Sequence, residues 1–118
     1  MTDPVIVDVT QAVLNGEVDI LAEKKQVRFP NEGYFHAWSD HDLVLIMTEI
    51  GSAAAQVIFV AGTGLCSPLG DLIVSVPADS RMAICLESSR FCDTDGDIDF
   101  IVAAGEVEFE ALRLPRGL

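Results

Sequence analysis

Basic residues are scarce in this chain. Lys and Arg together number 7 among 118 residues, against 19 Asp and Glu, which leaves a net charge of −12. The isoelectric point lies near 4.2. Phosphate backbones and anionic lipid surfaces are held by clustered Lys and Arg, so neither nucleic acid nor a membrane is expected as a partner. Histidine is scarcer still, with His36 and His41 alone. The three cysteines, Cys66, Cys85 and Cys92, form no CxxC pair, which removes the zinc-ribbon and thioredoxin-type patterns. The opening MTDPVIVDVT puts no basic residue ahead of its apolar positions and does not read as a secretory signal. The thiols are therefore expected to be reduced and mostly buried, in a cytoplasmic protein. A long lipid-spanning run is also lacking. The most apolar window, LVLIMTEIGSAAAQVIFVAG, carries Glu49 and Gln56, and a central carboxylate is costly in lipid.

Apolar residues, by contrast, are plentiful. They make up 50% of a chain long enough for one domain, and the mean hydropathy is +0.38. Such an excess over what one small core holds commonly goes to a subunit interface. A homo-oligomer is the expectation.

The apolar residues fall in short segments rich in Val, Ile and Phe, separated by Gly, Pro, Asn, Asp and Ser. PVIVDV, EVDIL, KQVRF, GYFHAW, DLVLIMTEI, AAQVIFVAG, DLIVSV, RMAICLE, DIDFIVA and EVEFEALRL all read as strands. In the last of these, Val107, Phe109 and Ala111 face one way and Glu106, Glu108 and Glu110 the other. About 8–10 short strands with regular turn signals predict an all-β antiparallel sandwich or barrel in a single domain, residues 1–118. One short helix is predicted over residues 9–16, ended by Asn15 and Gly16. Residues 40–50 are ambiguous, because Leu43–Met47 is unbroken apolar sequence that fits a buried strand or a helix capped by Ser39 or Asp40. The strand is favoured, with GSAA turning it into AQVIFVAG. An α+β fold with a helix at 40–50 is the alternative.

Few segments carry recognisable chemistry. AGTGLCSPLGD begins like a dinucleotide-binding turn, but Pro68 discourages the helix that must receive the pyrophosphate, and no lysine serves a phosphate loop. It reads as a plain loop. In FHAWSDHD, His36 and His41 lie beside Asp40 and Asp42. A small metal-dependent enzyme could be built there, although the spacing matches no zinc motif. The competing reading is that Trp38 anchors the core and the histidines are surface or boundary residues. Cys85 and Cys92 neighbour Glu87 and Asp93, and negative charge raises a thiol's pKa. No catalytic residue is assigned, and no enzyme is expected.

DTDGDIDF, residues 93–100, is the richest stretch. Asp93, Asp95 and Asp97 resemble positions one, three and five of the EF-hand calcium loop, and the resemblance covers those residues alone. Ile98 stands where the loop needs glycine, and Ala104 where it needs a bidentate glutamate. A looser calcium site would draw on Asp93, Asp95, Asp97 and Asp99. Asp-Gly at 95–96 also makes a turn, with positive φ at glycine. Beyond it, Asp97 and Asp99 share one side of a strand. A hairpin pairing Phe100 with Val107 and Ile98 with Phe109 would set Asp99 opposite Glu108 and Asp97 opposite Glu110. Facing like charges are unfavourable, and a basic partner would relieve them. The leading expectation is a non-enzymatic interaction module that presents Asp97, Asp99, Glu106, Glu108 and Glu110 to a basic protein surface. A calcium-binding β module is the alternative.

Overall fold

A strand turns successive side chains to opposite faces, so each alternating segment buries one row and needs a second sheet to cover it. The computed structural model describes residues 4–12, 17, 25–38 and 41–114. They meet this demand as a sandwich of two sheets. In the first sheet, β1 (Val5–Val7), β4 (Asn31–His36), β9 (Asp97–Ala104), β6 (Ala55–Phe59) and β7 (Leu72–Val76) lie side by side in that order. In the second, β2 (Thr10–Gln11) and β3 (Lys25–Arg28) share one side of β10 (Glu106–Leu114). Beyond β10 come β5 (Asp42–Glu49) and β8 (Arg81–Leu86). β1 and β2 run parallel to their neighbours, and every other pair is antiparallel. Among the described residues, helical structure is limited to a turn at Ser67–Leu69 and another, α1, at Ser88–Phe91. The all-β expectation holds.

Three phenylalanines join the sheets. Phe35 of β4 and Phe100 of β9 have ring centroids 5.0 Å apart, and Phe109 of β10 reaches them from the opposite sheet at 5.3 and 4.8 Å. All three are at most 1% exposed. The tilted and edge-on arrangements suit the ring quadrupoles. Around them pack Val57, Phe59, Ile98 and Val102 from the first sheet, and Leu43, Leu45, Met47 and Val107 from the second.

The ambiguous run at 43–47 is strand β5. It lies between β10 and β8, so Leu43, Leu45 and Met47 fill the core while Val44 and Ile46 are half-covered on the outer face. On the outer face the cross-strand neighbours are Leu112 and Cys85 for Val44, and Glu110 and Ala83 for Ile46, and such lateral pairs give partial cover. The helix predicted over 9–16 is corrected at its start, where Thr10 and Gln11 form β2, and residues 13–16 lie outside the described residues. Most of the predicted strand EVDIL lies outside them too.

Two predicted connections differ. GSAA does not make a hairpin, because β5 and β6 belong to different sheets. The Asp97–Glu110 hairpin is also absent, since β9 pairs with β4 and β6 while β10 pairs with β2, β3 and β5. Gly105 alone separates β9 from β10, and a hairpin turn takes at least two residues. The chain instead bends through Gly105, at φ 72°, from one sheet into the other.

Among the described residues, one carboxylate lies in this interior. Glu49, 5% exposed, accepts the Asp79 N–H at 2.9 Å. It thereby holds the turn from β7 to β8, where Asp79 takes a φ of 58°. Removing the central ring should reveal how much the sandwich depends on it. Phe100→Ala is expected to cost about 3–5 kcal/mol, read as a lower urea midpoint, whereas Phe29→Ala, at a residue 52% exposed, should change stability by about 0.5 kcal/mol or less.

Candidate functional site

The acidic loop is organised by its first residue. The Oδ1 atom of Asp93 accepts the backbone N–H of Asp95 at 2.9 Å and of Asp97 at 3.1 Å. The Asp93 N–H bonds the Asp97 carbonyl at 2.9 Å, and the Gly96 N–H bonds the Asp93 carbonyl at 3.2 Å. Gly96 has φ 81°, the left-handed conformation expected for glycine after Asp95. The Gly96 carbonyl in turn accepts the N–H groups of Ala37 and Trp38, tying the loop to the end of β4. One oxygen from each of Asp93, Asp95 and Asp97 falls within 4.8 Å of the others.

The pairing of β4 with β9 extends this cluster along the outer face. His36 stands opposite Asp97, Tyr34 opposite Asp99 and Glu32 opposite Ile101. His36 Nδ1 lies 2.6 Å from Asp97 Oδ1. Asp99 has its pKa raised, first by burial and then by the charges of Asp93, Asp97, Glu32 and Asp95. Among the described residues, no lysine or arginine forms an ion pair with Asp93, Asp95, Asp97 or Asp99. Glu32 was missing from the sequence reading. Its parity with Tyr34 was visible, but nothing local reveals that β4 lies beside β9.

Glu106, Glu108 and Glu110 are elsewhere. They project from the second sheet, whose inner residue Phe109 meets Phe100 across the core, so they face away from Asp97 and Asp99. Each has a polar neighbour of its own. Arg28 Nε lies 3.7 Å from Glu106, Gln26 Nε2 lies 3.4 Å from Glu108, and Arg81 lies 3.4 Å from Glu110. β3 supplies the first two and β8 the third. The five acids predicted as one face are therefore two groups on opposite outer faces. The group on the second sheet has cations of this chain beside it.

The described residues around the two histidines are not gathered with them into a set of three or more potential ligands. Among the described residues, the one group of three or more potential ligands is Asp93, Asp95 and Asp97, and it includes neither ring. His36 bonds Asp97, while His41 lies edge-on to Trp38 at 5.1 Å. Asp40 lies outside the described residues. Trp38 is not a core anchor, being 40% exposed with φ 66°. The guanidinium of Arg113 stacks over it at 3.6 Å and donates to the His36 carbonyl at 2.7 Å.

Of the thiols, only Cys92 is buried, while Cys66 is half-buried and Cys85 exposed. Burial, followed by Asp93, Asp97 and Asp99, pushes the Cys92 thiol up to about 11. Burial, then Asp42 and Glu87, raises Cys85. Thiols held protonated in this way are poor nucleophiles at neutral pH.

The glycine-rich stretch is a loop laid on α1. Gly62 donates to the Arg90 carbonyl and Cys66 to the Ser89 carbonyl. A Cβ at Gly62 would come within 2.2 Å of the Cys92 carbonyl oxygen, and one at Gly64 within 2.5 Å of that of Ser89. Close backbone approach accounts for both glycines, with no phosphate needed.

No protein-family model, curated protein or solved structure matches this chain, so the site is read from its own geometry. Its electrostatics make a signed prediction. A carboxylate whose folded pKa is raised opposes folding when ionised, and that penalty disappears as pH falls through the raised value. Asp99→Asn should therefore raise the thermal midpoint at neutral pH and low salt. The gain should shrink with added salt and vanish below the ordinary aspartate pKa, as followed by melts across pH.

Proposed function

We propose that the chain is a non-enzymatic interaction module that presents Asp93, Asp95, Asp97, Asp99 and Glu32 to a basic surface on a protein partner. It does so as a homo-oligomer in the cytoplasm, in the manner of an inhibitor, immunity or assembly protein. The observation that carries this reading is the cluster around Asp99, whose pKa is raised first by burial and then by four neighbouring carboxylates that no lysine or arginine among the described residues pairs with. Repulsion of this kind is relieved by Lys and Arg from outside, and opposite fields accelerate encounter. The acids of the second sheet, already placed beside Arg28 and Arg81, have less to gain and are left out of the proposed contact.

Nuclear magnetic resonance with an oligolysine peptide tests this. Shifts are expected at Asp93–Asp99 and Glu32, weaker at high salt and weaker in Asp95→Asn, with little change at Glu106, Glu108 and Glu110. Shifts spread evenly over both acidic faces would count against a dedicated surface.

A second reading has one observation in its favour, the three carboxylate oxygens within 4.8 Å. Oxygen clusters of this sort suit calcium, whose loops bind from nanomolar to millimolar depending on ligand number and rigidity. Asp93 Oδ1 already accepts two backbone N–H groups and Asp97 Oδ1 contacts His36, which leaves fewer lone pairs for an ion. Under this reading, millimolar calcium raises the thermal midpoint beyond sodium chloride of equal ionic strength, and Asp95→Asn abolishes the excess. Equal effects of the two salts exclude it.

A further inference from the structure

One side of the sandwich ends in two open strand edges. β7 closes the first sheet and β8 the second, and the turn Pro77–Ser80 joins them. Among the described residues, no strand pairs with the far side of either. Exposed edges invite pairing with another chain, and proteins ordinarily blunt them with charge, proline or bulges. Here LIVSV and RMAICL contain one charged residue between them, Arg81. The core is also incomplete along this side. Leu72, Val74, Met82 and Ile84 point inward yet are only partly buried.

The free side of β8 offers a definite set of hydrogen bonds. The Glu49 N–H bonds the Ser80 carbonyl, so Ser80 and every second residue after it point their backbone groups at β5. By the antiparallel alternation, Arg81, Ala83 and Cys85 point theirs outward.

We infer that β8 pairs antiparallel with β8 of a second copy of this chain, about a two-fold axis at Ile84. In that register Ile84 meets Ile84, Ala83 meets Cys85, Met82 meets Leu86, and Arg81 meets Glu87 at both ends. Ala83 and Cys85 exchange backbone bonds twice. The exposed Glu87 gives Arg81, which lies 3.4 Å from Glu110 of its own chain, a second opposite charge across the interface. A two-fold contact must be self-complementary, and this one is, in charge and in backbone hydrogen bonding. Shifting the axis to Ala83 would set Glu87 against Asp79, acid against acid. The choice of a second copy over a foreign chain rests on this match. It also rests on where the match lies, since chains of net charge −12 can approach each other with least repulsion at an edge nearly free of carboxylates.

This inference develops the self-association in the reading above and is independent of its acidic contact. A failed oligolysine titration leaves the mass unchanged, and a monomeric chain leaves that titration unchanged. Sedimentation equilibrium of the full chain should give twice the 12.7 kDa mass of one copy. Ala83→Pro removes only an outward N–H, which an edge strand tolerates, and should give the single-chain mass. Arg81→Glu should dissociate the dimer, and adding Glu87→Arg should restore it.

A covalent test covers the case in which Ala83→Pro does not fold. In a Cys66→Ser background, Ala83→Cys puts a thiol opposite Cys85 of the other copy, at a Cα separation of about 5.5 Å that a disulfide spans. Mild oxidation should then link the two copies, while the Cys66→Ser parent should stay unlinked. A single-chain mass for the wild-type protein at every concentration overturns the inference. So does a dimer indifferent to both Ala83→Pro and Arg81→Glu, or a parent that links through Cys85 alone.

Discussion

Phe35, Phe100 and Phe109 meeting across the two sheets are the contact on which the other features depend. Once these rings are fixed in the core, the period of two along a strand determines where the remaining side chains point. Phe100 inward sends Asp99 and Ile101 outward on β9. Phe35 inward sends Tyr34 and His36 outward on β4. Phe109 inward sends Glu108 and Glu110 out of the opposite face. A shift of one residue in any of these strands would bury carboxylates and expose rings. The acidic surfaces are thus consequences of the core packing as much as the core itself is.

The distribution of charge then separates two surfaces that composition alone treats as one. On the second sheet, β3 and β8 bring Arg28 and Arg81 to Glu106 and Glu110. On the first, β4 beside β9 brings Glu32 and His36. The same strand order that compensates one row leaves the other with mostly like charges. The side with β7 and β8 differs from both, being nearly uncharged, thinly covered and, among the described residues, without a strand paired to its far edges. Three surfaces of one sandwich therefore differ in chemistry, and each suits a different kind of contact.

Strand content and facing were legible in the sequence wherever alternation was clean, as in EVEFEALRL and DIDFIVA. The spacing Asp93, Asp95, Asp97 also identified a true cluster, because a turn holds residues that are close in sequence close in space. Sheet membership was not legible. Nothing in IDFIVAAGEVEFE distinguishes a hairpin from a bend between sheets, and that difference separates Asp97 from Glu110 across the whole core. Glu32 was missed for the same reason, since its place beside the acidic loop depends on a strand pairing some seventy residues away in sequence. Trp38 misled because size and apolarity argue for burial, while its left-handed backbone and the stacked Arg113 hold it at the surface.

That placement gives the single tryptophan an unusual vantage. Arg113 lies over its face and His41 at its edge, where β4 and β10 both end. Its emission therefore reports on this end of the sandwich, and the phenylalanines of the core are silent at indole wavelengths. Backbone dichroism instead averages over all the strands. If both signals change together during unfolding, the end and the core melt as one cooperative unit. If the tryptophan signal changes first, the end where β4 meets β10 frays as a separate, less stable unit.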